Sequence, residues 1–117
     1  RWLAERPEIA RVLHPALPSC PGHELWKRDF TGSTSVFSVE FRPEVRRSSV
    51  RAFVDALELF EIGWSWGGVT SLAVPVNPAR SAAEGRRTGA LVRFNVGLED
   101  PADLVADLEG GLRALKE

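Results

Sequence analysis

The sequence predicts an α+β domain, a small mainly antiparallel sheet covered on one face by helices. Three observations lead there: two stretches alternate at the period of a strand, two others place apolar residues at helical spacing, and strands and helices interleave along 117 residues. That length is below the roughly 150 residues of a typical domain, so residues 1–117 read as a single domain.

Residues 1–33 carry Pro7, Pro15, Pro18 and Pro21 with Gly22 and Gly32, which allow regular structure only in short pieces. Trp26 and Phe30 make this stretch too aromatic for a flexible spacer, so it is expected to be ordered and packed on a larger surface. Over 34–41, Phe37, Val39 and Phe41 alternate with Val36, Ser38 and Glu40, which predicts a half-buried strand. Pro43 ends it. Val50, Phe53, Val54 and Leu57 then follow at i, i+3, i+4, i+7, with Arg46, Arg47 and Arg51 outward, predicting an amphipathic helix over 44–58. Gly63-Trp64-Ser65-Trp66-Gly67-Gly68 reads as a loop, 71–76 as a strand, and the polar stretch 77–89 as a mobile excursion. A central strand is expected over 91–96, with Val92, Phe94 and Val96 on one face and Leu91, Arg93 and Asn95 on the other. The last helix is the best marked: Asp100 at the N-cap, Pro101 at N1, then Leu104, Leu108, Leu112 and Leu115 in one stripe. The uncovered sheet face must then meet solvent or a partner domain.

Sixteen acidic residues against fifteen basic ones leave a formal charge of -1, which offers no electrostatic case for nucleic acid or an anionic membrane. No apolar run approaches the roughly 18 residues of a membrane span, and nothing near the start resembles a signal segment. A single cysteine, Cys20, rules out an internal disulfide and fits a reducing compartment, so a cytoplasmic location is expected. The absence of Met and the opening Arg1-Trp2-Leu3 suggest a piece of a longer chain.

Few residues suit chemistry. Arg93, mid-strand, could grip a carboxylate or phosphate with two parallel hydrogen bonds, or could simply be solvated, as most outward arginines are. The Trp64–Gly68 loop could offer backbone amides and a stacking surface, or could be a tight turn around a packed indole. His14, Cys20 and His23 fall short of the four ligands of a structural zinc site and match no finger spacing, so no metal is expected. Neither Ser65 nor Cys20 lies in a nucleophile motif. The arginines of the first helix read as a solvated face.

Four blocks in order, H-P-A-L-P at 14–18, G-H-E-L-W-K-R-D-F-T-G-S at 22–33, W-S-W-G-G at 64–68 and V-R-F-N-V-G-L-E-D-P-A-D-L at 92–104, resemble the C-terminal domain of bacterial cystathionine β-lyases. These belong to the Cys/Met-metabolism family of fold type I pyridoxal phosphate enzymes. The resemblance implies a cytoplasmic homotetramer acting in methionine biosynthesis, in which a large domain of the same chain holds pyridoxal 5'-phosphate on a lysine and this small domain closes the substrate side. It implies that the intact enzyme takes L-cystathionine to homocysteine, pyruvate and ammonia. It also implies that Arg93 binds the substrate α-carboxylate and that Ser65 and Trp66, with Trp64, line the same pocket. With that context the clamp reading of Arg93 outweighs the solvated one.

The resemblance places no catalytic or cofactor-binding residue in this chain. Lys27 lies in the W-K-R-D-F block rather than at the Schiff-base position, so the chain alone is expected to be inactive. Trp66 favours β-lyases, since γ-acting relatives typically read E-S-L-G-G at this loop. Three positions depart from the family pattern: Trp64 stands for a usual Tyr, Thr70 for a usual Glu and Ser35 for a usual Gly. The first two leave exact substrate choice open, including γ-activity or broader desulfhydrase activity. A free-standing anion-binding or interaction module without catalysis is the competing expectation.

Overall fold

The two alternating stretches pair with each other at the middle of the sheet. The computed structural model describes residues 1–81 and 87–115. In it β2 (Val36–Phe41) and β5 (Leu91–Asn95) run antiparallel, with Ser38 opposite Arg93 and Val39 opposite Val92; a 3-10 turn (Trp2–Glu5), β1 (Ile9–Leu13) and α1 (His23–Asp29) precede them. The remaining elements are α2 (Arg47–Asp55), β3 (Glu61–Ile62), β4 (Leu72–Val76) and α3 (Pro101–Ala114). The strand order is β1-β2-β5-β4-β3, so β5 is central as its alternation predicts. The sheet is antiparallel except for β3, which runs parallel to β4, making it mixed.

Opposed residues share a face. One face therefore carries Val39, Val92 and Phe94, which pack with Val50, Phe53 and Val54 of α2 and Leu104, Leu108 and Leu112 of α3 into one buried cluster. Phe53 meets Phe41 and Phe94 edge to face. Gly111 lets α3 press close to α2: a Cβ there would stand 2.8 Å from Leu57 and 2.9 Å from Phe53. The other face carries Ser38, Leu91, Arg93 and Asn95.

α2 is shorter than the predicted 44–58. Residues 43–45 form a turn, and beyond Asp55 the amides of Glu58, Leu59 and Phe60 donate to the Asp107 carboxylate of α3 at 2.8, 2.9 and 3.2 Å. Those amides, bonded to a neighbouring helix, do not continue the helix ladder. At α3 the reading holds: Asp100 caps it by accepting from the Ala102 amide at 2.7 Å. In the proline-rich stretch β1 joins the sheet edge, a strand the alternation test misses because its register slips between Ile9 and Arg11. In this stretch Phe30 is 64% exposed and Trp26 half-buried. The expected excursion over 77–89 falls partly on residues 82–86, which lie outside the described residues.

Candidate functional site

Alternation places Arg93 and Asn95 two residues apart on the face that α2 and α3 leave uncovered, and both reach the loop between β3 and β4. Arg93 Nη1 donates to the Trp64 carbonyl at 2.7 Å. Asn95, 1% exposed, accepts from the Gly67 amide at 3.1 Å and the Ser35 hydroxyl at 2.7 Å, and donates from Nδ2 to the Thr70 carbonyl at 3.2 Å. Gly67 adopts φ +75°, a left-handed conformation that favours glycine. One strand thus holds the loop at three points.

The far end of the loop is tied as well. The Leu98 amide donates to the Val69 carbonyl at 2.8 Å, and buried Ser71 donates through its amide and hydroxyl to the Glu99 carboxylate, both at 2.8 Å. These two bonds, with that from Glu99's own amide, hold the Glu99 carboxyl below its usual value.

Above the sheet lies an open cleft of about 610 Å³, lined by Trp64 and Arg93 with apolar walls that include Leu13, Val36 and Leu91. A guanidinium has five N–H groups, so the bond to Trp64 orients Arg93 while leaving donors for a carboxylate. Of the four residues singled out from sequence, Arg93 and Trp64 come together at this cleft. Ser65 and Trp66 sit on the same loop, exposed and outside its lining. Asn95, which positions the loop, is the residue sequence reasoning passed over; its place on the same strand face as Arg93 was the available signal.

A second polar knot borders the cleft. Buried Glu40 on β2 pairs with Arg11 of β1 and accepts from the amides of Thr88 and Gly89 at 3.1 and 3.2 Å. Burial pushes its carboxyl up, but the hydrogen bond from Arg11, those from the two amides and the Arg11 charge together bring it below its ordinary value.

His14, Cys20 and His23 bond separately: the Ala16 amide donates to His14 Nδ1 at 3.2 Å, His23 Nδ1 lies 2.7 Å from the Pro15 carbonyl, and the Cys20 thiol contacts the Pro21 carbonyl at 3.6 Å. Burial pushes the Cys20 thiol up despite the opposing Arg11 charge, the wrong direction for a nucleophile. Among the described residues no three His, Cys, Asp or Glu side chains are grouped to hold a metal ion, and no helix is long and apolar enough to cross a membrane.

A family model described as Cys/Met metabolism PLP-dependent enzyme matches residues 1–113. Cystathionine beta-lyase MetC of Escherichia coli (strain K12) is 45% identical over 115 residues, covering 94% of this chain and 29% of that protein. Cystathionine beta-lyase of Haemophilus influenzae is 41% identical over 120 residues, covering 98% of this chain and 30% of that protein. Among solved structures, metB from Corynebacterium glutamicum superposes with a TM-score of 0.79 at 33% identity, over 97% of this chain and 30% of that one. The chain spans about 30% of the length of these relatives.

Proposed function

The chain belongs to the family of Cys/Met metabolism PLP-dependent enzymes, and from that membership we propose that residues 1–117 form the substrate-side domain of a carbon–sulfur lyase of the cystathionine β-lyase type. The observation that carries the proposal is Arg93, fixed through the Trp64 carbonyl at 2.7 Å and facing a cleft with apolar walls.

The residues present do not fit the cofactor itself. Among the described residues no lysine lines the cleft; Lys27 is exposed on α1, and Lys116 lies outside the described residues. Pyridoxal phosphate, which supplies an electron sink for charge left at Cα, belongs in this reading to a large domain of the intact protein, a cytoplasmic homotetramer. This chain's part is orientation. Arg93 holds the substrate α-carboxylate, which fixes the bond at Cα that is presented for proton removal. Trp64 forms the aromatic wall of the cleft, and Ser65 and Trp66, exposed on the same loop, are assigned to the part of the substrate pocket completed by the rest of the protein. Trp66 is 64% exposed, Val69 67% and Leu98 81%, an apolar rim suited to meeting the rest of the protein. Water and L-cystathionine then give homocysteine, pyruvate and ammonia.

The test is product analysis on the intact protein. Pyruvate together with homocysteine is the expected outcome, and 2-oxobutyrate in its place would move the assignment to γ-chemistry. Arg93→Ala in the intact protein should raise KM for L-cystathionine about tenfold or more, the loss of one charge-assisted pair. Unchanged kinetics would remove Arg93 from the role given to it.

A further inference from the structure

Ser71 is wholly buried where the tryptophan loop rejoins the sheet, and each of its polar groups is taken. Its amide and hydroxyl go to Glu99, its carbonyl accepts from the Glu61 amide at 3.0 Å, and its Oγ accepts from the Gly97 amide at 2.8 Å. A side chain at Gly97 has no room, because a Cβ there would run into the Val69 carbonyl and stand 2.7 Å from Glu99 Oε2. Segments 69–71 and 97–99 are therefore held backbone against backbone, with one carboxylate between them. Ionised, that carboxylate makes charge-assisted bonds, stronger than those between neutral groups.

The carboxylate reaches the loop through a line of fixed contacts. Holding Ser71 fixes the preceding Thr70 carbonyl, which accepts from Nδ2 of Asn95. A side-chain amide has one donating end and one accepting end, so Nδ2 on Thr70 turns Oδ1 toward the Gly67 amide and the Ser35 hydroxyl. Gly67 follows Trp66 directly. Trp64, Ser65 and Trp66 are themselves exposed, so backbone anchors and not packing set their places. Arg93 holds the first part of the loop at the Trp64 carbonyl, and Glu99 holds its return.

We propose that Glu99 is a positioning residue of the substrate pocket, setting through Ser71, Thr70 and Asn95 where Ser65 and Trp66 stand. This rests on the reading of the tryptophan loop as substrate-side. Glu99 touches no substrate, since both of its carboxylate oxygens are directed at Ser71. Its loss displaces the loop and leaves the Arg93 guanidinium in the protein.

The test uses the intact protein and two readouts. The first is the near-ultraviolet circular dichroism of the loop indoles, taken as the part of the spectrum that the double variant Trp64→Phe/Trp66→Phe removes. Glu99→Ala should lose most of that signal, and Glu99→Gln, which keeps an acceptor for the Ser71 amide, should retain most of it. The second is steady-state kinetics with L-cystathionine: Glu99→Ala should raise KM about fivefold with kcat within about twofold, the pattern of lost uniform binding, and Glu99→Gln should recover most of the difference. Ser71→Ala, which keeps the amide bond and loses the hydroxyl, replaces Glu99→Ala if far-ultraviolet circular dichroism finds the latter unfolded. Gly111→Ala crowds Leu57 and Phe53 on the opposite face of the sheet, and should lower stability without moving the indole signal or KM. An indole signal absent from wild type or retained in Glu99→Ala, an unchanged KM in Glu99→Ala, no recovery in Glu99→Gln, or the same shifts in Gly111→Ala overturns the positioning role. The indole signal needs no turnover, so the outcome separates from the lyase assignment. A signal that depends on Glu99, in a protein that yields no pyruvate from L-cystathionine, would sink the assignment and leave the loop set by Glu99; pyruvate formation with a Glu99→Ala variant unchanged in both readouts would do the reverse.

Discussion

Asn95 is the residue on which the candidate site turns. Its amide serves Gly67, Thr70 and Ser35 at once while nearly sealed from solvent, so truncation strands two backbone groups and a hydroxyl. Asn95→Ala should destabilise the protein by about 2 kcal/mol, read as a lower urea midpoint. In the intact protein it should also raise KM for substrate, because the Trp64 carbonyl that orients Arg93 lies on the same loop. A stability loss with unchanged KM would separate the loop from the site. Arg93 was legible in the sequence because a strand's period of two assigns a face from the chain alone. Asn95 was assigned the same face, but its partners lie 25 to 60 residues away in sequence, and no local pattern names them.

Element boundaries show the same division. α3 starts where Asp100 and Pro101 predict, because a cap is a contact between residues two apart. α2 ends early because Asp107, on another helix, takes the amides of residues 58–60. Asp100→Ala should therefore cost about 1 kcal/mol, whereas Asp107→Ala, which removes the acceptor from three amides, should cost about 2 kcal/mol. Chemical denaturation ranks the two, and an Asp107 variant no weaker than the Asp100 variant would show that those amides find water instead. β1 escaped sequence reading for a related reason: its bulge breaks the alternation that identifies β2 and β5.

Across the whole molecule, two carboxylates tie distant segments together. Glu40 joins β1, β2 and the approach to β5, and Glu99 joins the exit from β5 to the start of β4. Both carboxyls are held below their ordinary value of 4.5. A carboxyl depressed on folding adds stability that is fully present above its unfolded value and disappears as pH falls through the folded one. Stability should thus be level above about pH 5 and decline as pH falls below the ordinary carboxylate range. Glu40→Gln should lower stability at neutral pH and flatten that decline, since it deletes one of the groups that titrate. An acid limb as steep in Glu40→Gln as in wild type would assign the loss to other carboxylates.

The sequence by itself determined the fold class, the two alternating strands, the capped last helix, the face that carries Arg93 and, through four ordered motif blocks, the family. Each of these is periodic, local or a matter of residue identity in order. The tertiary structure alone decided the strand order, the parallel β3 pairing, where α2 stops, the anchoring of the tryptophan loop by Asn95, and the fastening of Ser71 by Glu99. These depend on contacts between residues far apart in the chain, and such contacts exist only once packing of the apolar faces has brought the segments together.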